Sequence, residues 1–353
     1  MGDVTVLVLH PPLLPDSGPL TAALDDARRA LAARHVAGFR AAGAKEASIV
    51  EETDDLLFGV RLRRLVSGVR TTGAVVLGSG ALALARPADY RAFVAAAAGD
   101  APRALSNNRF SSDAIAVAFA AVLRDVPDLP ADNALPRWLE EVAGYPVDDL
   151  RRRGRLGVDL DSPGDLVLLG RPLPPLEAAA SPLPARLAAV RAVLADRRAV
   201  VTIAGRTSAG TLAALERRTA CRVRALVEER GMRAASRLAM SAPSAGDTRP
   251  AASALGLLLD LAGPEALGRF LARLGDAAVV DTRVLLAHRL GADERRWPEP
   301  EDRYASDLLL PGRIHDPWLR DLTAAAIGAP IPILLGGHTL VGPGLPLLAA
   351  GGR

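Results

Sequence analysis

The sequence predicts an α/β fold, with a three-layer α/β/α arrangement around a mostly parallel, mixed sheet in a first domain, and a second α/β domain. Short apolar runs alternate with amphipathic helical segments in both halves of the chain. A length of 353 residues suits two domains rather than one small core. Half of the residues are hydrophobic and only 3% are aromatic, so Ala, Leu and Val, which suit helices and parallel strands, carry the apolar content.

The first half alternates strand and helix signals from its start. Predicted strands lie at residues 4–9, 47–50 and 73–77, and predicted helices at residues 20–42, 54–68 and from 87 onward. Residues 112–123 carry a further strand-and-helix pattern, and Asp132 and Asn133 are expected to cap a helix over residues 134–142. Strands that alternate with helices indicate right-handed crossovers and a parallel sheet.

The second half repeats the alternation after a proline-dense stretch at residues 171–186, which is typical of a linker. Predicted strands lie at residues 200–204, 222–227, 277–280 and 331–335, and predicted helices at residues 209–218, 230–240, 250–262 and 263–274. We therefore predict a first domain at residues 1–170, a linker at residues 171–186 and a second domain at residues 187–353.

Composition limits the partners and the compartment. Lys and Arg number 43 against 40 Asp and Glu, without a basic block that contains aromatic residues, so we expect no nucleic acid partner. Cys221 is the single cysteine, which excludes an internal disulfide and indicates a reducing compartment. Residues 322–352 contain no Lys, Arg, Asp or Glu, but four prolines interrupt them, so we expect no membrane span and a cytoplasmic location. The oligomeric state stays open, a homodimer included.

An acidic corner at residues 159–166 (DLDSPGDL) is the most informative motif. In an extended segment Asp159 and Asp161 share one side, because side chains alternate with period two. Ser162 and Pro163 suit the start of a helix whose first turn carries Asp165. Oxygen ligands of this kind are preferred by Mg²⁺. The alternative is a capped helix start with solvated acids.

Residues 106–108 (SNN), 132–133 (DN) and 159–166 together resemble the nucleotidyltransferase branch of the GT-A fold. Molybdenum-cofactor cytidylyl- and guanylyltransferases and phospholactate guanylyltransferases belong to that branch. The resemblance covers residues 1–170 and implies a GT-A, Rossmann-like first domain, a CTP or GTP substrate, and Mg²⁺ held by Asp159 and Asp161. Further candidates for contacts with the nucleotide are Ser79, Gly80, Asn107 and Asn108, for which ordinary turn chemistry is the alternative.

Two segments depart from that family's pattern. Residues 10–19 (HPPLLPDSGP), after the first predicted strand, contain four prolines and one glycine where a glycine-rich phosphate loop is expected. Because proline lacks a backbone N–H, such a loop offers few donors to a triphosphate. The third predicted strand ends in residues 77–80 (LGSG), without the carboxylate that usually binds metal there.

A second polar set follows the predicted strands of the second half. Ligands bind beyond the carboxyl ends of strands in open α/β sheets. The candidates there are Gly205, Arg206, Thr207, Ser208, Asp281, Arg283 and His338. The arginines and hydroxyls suit a phosphate or carboxylate, and His338 suits an acid/base. Residues 302–307 are expected to form a lid loop from which Arg303 grips an anion.

Three hypotheses follow, and whether the protein is an enzyme stays open. The first is a Mg²⁺-dependent nucleotidyltransferase-like protein that transfers a nucleotidyl group to a phosphorylated or hydroxyl acceptor. The second is a catalytically inactive scaffold of that family that serves as a ligand-binding or assembly protein. The third is an enzyme whose second domain acts on an anionic metabolite through His338, Asp281 and Arg303.

Overall fold

The chain is an α/β protein with a mixed sheet and a parallel sheet, which confirms the predicted fold class. The structure, a computed structural model, describes residues 2–51, 56–173, 180–230 and 251–350. Within those ranges, residues 2–14 and 25–159 form a first compact unit, and residues 15–24, 160–230 and 251–350 form a second. The linker predicted at residues 171–186 includes residues 174–179, outside the described ranges, and that boundary stays a prediction.

Six strands form the sheet of the first unit, in the order β2-β1-β3-β5-β4-β6. Their bounds are β1 Val4–Leu9, β2 Glu46–Val50, β3 Gly73–Gly78, β4 Ala104–Ser106, β5 Ala114–Val117 and β6 Val147–Asp149. Strand β1 is parallel to β2 and β3, and β4 is parallel to β6. Strand β5 is antiparallel to both of its neighbours, which makes the sheet mixed.

Helices cover both faces of this sheet. Their bounds are α1 Pro19–Ala41, α2 Phe58–Ser67, α3 Pro87–Ala97 and α4 Leu135–Glu141. Val6 of β1 packs in a core with Phe39 of α1 and Phe93 of α3. The next residue, Leu7, packs in a separate core with Trp138 of α4. Because successive side chains of a strand point to opposite faces, these two cores lie on either side of the sheet and produce three layers.

Four parallel strands form the sheet of the second unit, in the order β10-β9-β7-β8. Their bounds are β7 Val200–Gly205, β8 Arg222–Val227, β9 Ala277–Asp281 and β10 Ile333–Gly336. The helices of this unit are α5 Pro163–Leu168, α6 Leu183–Ala195, α7 Ala209–Arg218, α8 Ala254–Ala262, α9 Leu267–Leu274, α10 Thr282–Leu290, α11 Pro300–Asp307, α12 Pro317–Gly328, α13 His338–Val341 and α14 Gly344–Ala350. Leucines of these helices pack with Val201, Ile203 and Leu334 of the sheet in one core.

Residues 302–307 were expected as a lid loop, and this is wrong, because α11 contains them. Pro300 stands at its first turn and Glu301 and Asp302 follow, which suits the positive end of the helix dipole. The helix predicted at residues 230–240 lies almost wholly outside the described residues. Cys221 is buried, as expected, directly before β8. Every helix that the structure describes is too short or too polar for a bilayer crossing.

Candidate functional site

In each sheet the order of strands reverses beside the first strand of that unit, because the next two strands lie on its opposite sides. Strand β1 lies between β2 and β3, and strand β7 lies between β8 and β9. The connections that follow the two strands at this point run to opposite sides of the sheet. A crevice therefore opens beyond the carboxyl ends of these strands. The two places to search are therefore the ends of β1 and β3 in the first unit and the ends of β7 and β9 in the second.

A cleft opens at the first of these places. It lies between Leu9, Gly78, Phe58, Asp113 and Asp132, with further lining residues Val76, Leu77, Ser112, Ala114, Ile115 and Leu135, and its cavity volume is about 20 Å³. That volume holds about one water molecule, whereas pockets for drug-sized ligands usually measure roughly 300–1,000 Å³. The cleft is therefore shallow, and a ligand ring would lie over its open side rather than inside it. Its walls are mostly apolar, and the half-buried Asp113 and Asp132 bring carboxylates to it.

Asn107 organises the wall of this cleft from within. Its Nδ2 donates to Asp113 Oδ2 at 3.0 Å and to the Leu156 carbonyl at 3.2 Å. Its Oδ1 accepts from the backbone N–H groups of Asp113 and Ala114. Since both ends of the amide are engaged, Asn107 holds Asp113 in place instead of presenting its own amide to a ligand. Asn108 caps a turn, because its Oδ1 accepts from the N–H of Phe110 at 3.1 Å.

Ser79 follows β3 directly and is buried. Its Oγ lies 3.0 Å from Nδ1 of His10, the residue that follows β1. Gly80 is half-buried after it. Asp159 of the same unit is half-buried, and its Oδ1 accepts from the Leu82 N–H at 3.0 Å. The predicted residues Ser79 and Asp159 thus belong to the loop that follows β3 and to the segment beside it.

The second unit gathers Arg206, Asp281 and His338 at the ends of its central strands. Arg206 Nε donates to Asp281 Oδ2 at 2.6 Å, and Arg206 Nη2 donates to Asp281 Oδ1 at 3.1 Å. Gly205 makes this approach possible, because its φ is +137° and a Cβ there would lie 2.2 Å from the Cβ of Asp281. The glycine is therefore required by a close contact with Asp281.

His338 has a defined tautomer. Its Nδ1 lies 3.0 Å from the carbonyl oxygen of Arg206. A carbonyl only accepts, so Nδ1 carries the proton and Nε2 keeps its lone pair. Burial, and next the charge of Arg206, lower the pKa of His338 below its usual 6.5. The imidazole is thus neutral at pH 7 and has the form of a base.

A chain of buried ion pairs runs on from Asp281. Asp281 Oδ1 accepts from the Arg283 N–H, and the Arg283 guanidinium forms two hydrogen bonds with Asp307, one of them at 2.7 Å. Ser162 donates a further hydrogen bond to Asp307. Burial, and the nearby charges of Asp161 and Asp307, raise the pKa of Asp165 to about 8. Asp165 is therefore mostly protonated at neutral pH. Burial also raises the pKa of Asp307, and the Arg283 guanidinium opposes that rise.

A small cavity lies beside Asp165 and Asp307. Its volume is about 10 Å³, and its polar lining is Ser162, Asp165 and Asp307. The remaining lining residues are Gly164, Leu168, Leu183, Leu187, Leu335, Gly336 and Leu340. Asp161 is exposed at the start of this segment, and its N–H donates to Asp165 Oδ2 at 2.9 Å. Residues 160–166 of the DLDSPGDL motif thus form a capped helix start in the second unit, with Asp165 as the buried acid, whereas Asp159 belongs to the first unit.

The other predicted contacts of the second unit have structural partners. Ser208 caps α7, because its Oγ accepts from the Thr211 N–H at 3.1 Å. The Thr207 N–H donates to the Gly205 carbonyl, and its buried Oγ1 has no hydrogen-bond partner among the described residues. Arg303 pairs with Glu294 at 3.3 Å, and its guanidinium lies 5.8 Å from the ring centre of Trp297. Neither of these arginine contacts involves His338.

Within the described ranges, no group of three or more His, Cys, Asp or Glu side chains is placed to hold a metal ion. Mg²⁺ binding by Asp159 and Asp161 stays a prediction. Sequence reasoning missed His10, Asp25, Asp113, Asp165 and Asp307. His10 was open to discovery, since it ends the first predicted strand, next to the strand that Ser79 ends. Asp307 was not, because its partner Arg283 lies 24 positions away with no motif that links them.

Comparison with known proteins gives little further information. No family model and no curated protein matches this chain. Among solved structures, similarity is found to the crystal structure of Rv0371C in complex with manganese, from Mycobacterium tuberculosis H37Rv. The sequence identity is 21%, the match covers 42% of this chain and 87% of that chain, and the TM-score is 0.25. A similarity of that size shows neither the fold nor the function of this chain.

Proposed function

We propose that this protein is nucleotidyltransferase-like and that its first unit binds the base of a nucleotide in the cleft beside β1 and β3. The observation that carries the proposal is the position of the cleft. It lies beyond the carboxyl ends of two parallel strands at the point where the sheet order reverses, which is where α/β proteins bind ligands. The resemblance of residues 1–170 to nucleotidyltransferases supplies the ligand class.

The lining of the cleft favours a base that carries an amino group. The carboxylates of Asp113 and Asp132 accept hydrogen bonds, and cytosine and guanine both present exocyclic N–H donors. Phe58, Leu9 and Leu135 supply apolar surface for the faces of a ring. Because the cavity volume is only about 20 Å³, the ring would lie over the open side of the cleft, and the sugar and phosphates would extend away from it. CTP and GTP are therefore the nucleotides to test.

Transfer chemistry would need more than this cleft. In the proposal, an acceptor phosphate or hydroxyl attacks the α-phosphate of the nucleotide. A Mg²⁺ ion at Asp159 and Asp161 would supply charge stabilisation at the transferring group. The residues themselves offer carboxylate oxygens, which is the donor type that Mg²⁺ prefers.

The experiment is a thermal shift series with CTP, GTP and UTP in the presence of Mg²⁺. UTP is the matched control, because uracil has a carbonyl where cytosine has its amino group. We expect a higher melting temperature with CTP or GTP, a smaller effect with UTP, and a loss of the difference in the Asp132→Asn variant. An unchanged melting temperature at millimolar CTP and GTP would contradict the proposal.

A second candidate, the inactive scaffold, has its own observation. The segment between β1 and the first turn of α1 contains four prolines, at positions 11, 12, 15 and 19. Proline lacks the backbone N–H with which a phosphate loop holds a triphosphate. The scaffold predicts nucleotide binding, or binding of another ligand, without release of pyrophosphate. A pyrophosphate-release assay with each nucleotide and a range of acceptors separates it from the transferase.

The third candidate, an enzyme in the second unit, rests on the neutral His338. The expected anion grip is weaker than the sequence indicated, because Arg206 and Arg283 already pair with Asp281 and Asp307. An anionic substrate would have to displace a buried carboxylate, which costs several kcal/mol. This candidate therefore requires a substrate that His338 deprotonates without an arginine clamp. Activity that survives in a folded His338→Gln variant would exclude it.

A further inference from the structure

His10 and Ser79 are in contact at the point where the strand order of the first sheet reverses. His10 follows β1, Ser79 follows β3, and the two strands are parallel neighbours. The side chains are 1% and 3% exposed, and Ser79 Oγ lies 3.0 Å from His10 Nδ1. A hydroxyl within hydrogen-bond reach of an imidazole is the first element of an activated nucleophile.

Asp25 of α1 stands on the other side of the imidazole. Its Oδ1 lies at an ion-pair distance of 3.4 Å from His10 Nε2, and that buried nitrogen has no hydrogen-bond partner among the described residues. A carboxylate only accepts, so it favours the tautomer with the proton on Nε2. The lone pair of Nδ1 then faces Ser79, whose O–H donates to it. At 3.4 Å the Asp25 contact is loose, as is common before a substrate binds.

The surroundings keep His10 neutral but able to accept a proton. Burial lowers the pKa of His10 below its usual 6.5 more strongly than Asp25 raises it. Arg28 and Arg29 lower it further, while Glu51 opposes them. Among these charges Asp25 has the largest effect on the pKa, so it is the main group that would stabilise a proton received from Ser79.

We propose that Ser79 is a nucleophile toward phosphoryl groups, with His10 as its general base and Asp25 as the group that orients and stabilises the imidazole. The choice of a phosphoryl electrophile rests on the proposed function. Leu9 and Gly78, the neighbours of His10 and Ser79, line the cleft proposed for the base, so both sites lie at the carboxyl ends of β1 and β3. A Cβ at Gly78 would meet no other atom within 4 Å, which leaves room for a substrate there.

The step conserves atoms and electrons. Ser79 Oγ attacks the phosphorus of the α-phosphate, and the Oγ–P bond forms as the bond from phosphorus to the leaving pyrophosphate breaks. The proton of Oγ moves to His10 Nδ1, and Asp25 stabilises the resulting imidazolium through Nε2–H. The imidazolium then gives its proton to the departing pyrophosphate. In the second transfer the acceptor hydroxyl attacks the phosphorus of nucleotidyl-Ser79 as the Oγ–P bond breaks, and neutral His10 takes the acceptor's proton and passes it to Ser79 Oγ, which regenerates the serine.

The alternative is that the three side chains only tie two loops together. A covalent adduct separates the two views, because a loop contact predicts none. The first measurement is the mass of the intact protein and of its peptides after incubation with diisopropyl fluorophosphate, a small phosphoryl electrophile from which fluoride leaves. The second is the same measurement with CTP or GTP and Mg²⁺.

We expect an adduct on Ser79 and none in the Ser79→Ala variant. Ser106→Ala is the matched control, because Ser106 is a buried serine of the same unit outside the cleft, with a serine partner at 2.9 Å, and it should leave labelling unchanged. His10→Gln should slow labelling at least ~100-fold. The labelling rate of the unmodified chain should rise with pH with a midpoint below 6.5, which a purely structural His10 would not produce.

The outcomes are distinct. An adduct from diisopropyl fluorophosphate without any nucleotide binding supports the nucleophile and removes the nucleotide proposal. Absence of an adduct on Ser79 from either reagent, in protein shown to be folded by circular dichroism, overturns the nucleophile even where CTP or GTP binds. If His10→Gln does not fold, Asp25→Asn takes its place, and an unchanged labelling rate in that variant also overturns the assignment.

Discussion

Arg206 and Asp281 join the ends of two neighbouring parallel strands through two hydrogen bonds, 2.6 Å from Nε to Oδ2 and 3.1 Å from Nη2 to Oδ1. The Asp281 side chain is 0% exposed, and the same carboxylate caps α10 by accepting from the Arg283 N–H. One buried acid therefore fixes a strand end, a helix start and the loop after β7.

Asp281→Asn should destabilise the second unit strongly. Removing one partner of a buried ion pair leaves the other charge uncompensated and costs about 3–5 kcal/mol. A urea titration followed by tryptophan fluorescence measures the loss. Asp321→Asn is the matched control, because its pair with Arg320 is 48% and 45% exposed and should contribute less than about 1 kcal/mol. Equal losses in the two variants would mean that Asp281 is not a structural centre of this unit.

Gly205→Ala should disturb the same pair from the backbone side. The glycine has a φ of +137°, and an added Cβ would lie 2.2 Å from the Cβ of Asp281. Both the strained conformation and the overlap oppose alanine, so we expect a loss of at least ~1–3 kcal/mol. Gly312→Ala is the control, because a methyl group added there would meet no atom within 4 Å and the φ of Gly312 is not positive. If the Gly205→Ala variant is as stable as the Gly312→Ala variant, the contact with Asp281 does not require glycine at position 205.

The parts of the fold that local patterns determine were predictable from the sequence. Strand β1 and strand β8 have the predicted bounds, because an apolar run or a β-branched alternation is read within one segment. Strands β4 and β6 were not predicted, because each has three residues and is selected only by its neighbours in the sheet. The order of strands likewise depends on contacts between segments, and that order is what brings His10 to Ser79.

The candidate sites, like the fold, were predictable from local patterns only in part. The strand ends at Arg206, Asp281 and His338 were found because parallel strands end at one edge, a rule that needs only the sequence of elements. The pairing of Arg206 with Asp281, which leaves little of its charge for an anion, depends on side-chain geometry. Asp165 was expected as a capping residue, but its burial, and so its raised pKa, depends on distant residues such as Asp307.

His35 should make stability fall in acid. It is 0% exposed in α1, its Nε2 donates to the Ala81 carbonyl at 2.8 Å, and its Nδ1 accepts from the Tyr90 hydroxyl at 3.0 Å. Burial lowers its pKa to about 4. Between pH 6.5 and 4 the unfolded chain binds a proton that the folded chain does not, so the folded state loses about 1 kcal/mol per pH unit as pH falls.

The test compares the unmodified protein with the His35→Gln variant in urea titrations at pH 4.5, 5.5, 6.5 and 7.5. Groups common to both proteins cancel in the difference. The stability advantage of the unmodified chain should shrink below pH 6.5 and stay constant above it. A difference that does not change with pH would mean that His35 is protonated in the folded state or exposed to solvent.

Asp165 should have the opposite effect on how the stability of the folded state changes with pH. Its side chain is buried, and burial, then Asp161 and Asp307, raise its pKa to about 8, against about 4 in an unfolded chain. Between pH 4 and 8 the folded protein therefore holds a proton that the unfolded chain has released. Stability must fall as pH rises through this window, by about 1 kcal/mol per pH unit.

Asparagine is a close mimic of the protonated acid at this position. Its carbonyl oxygen can still accept from the N–H groups of Asp161 and Ser162, which Asp165 Oδ2 does at 2.9 Å and 2.7 Å. The Asp165→Asn variant should therefore be less sensitive to pH and gain stability relative to the unmodified chain between pH 5 and 8. Urea titrations of both proteins at pH 5, 6, 7 and 8 measure the difference.

Asp293→Asn is the control for that series. Its hydrogen bond with Arg295 lowers the pKa of Asp293 to about 2, so its ionisation is complete throughout this pH range and its replacement should add no slope. If Asp165→Asn also adds none, Asp165 is ionised at neutral pH. The buried network of Asp165, Asp281 and Asp307 with Arg206 and Arg283 would then carry a net negative charge.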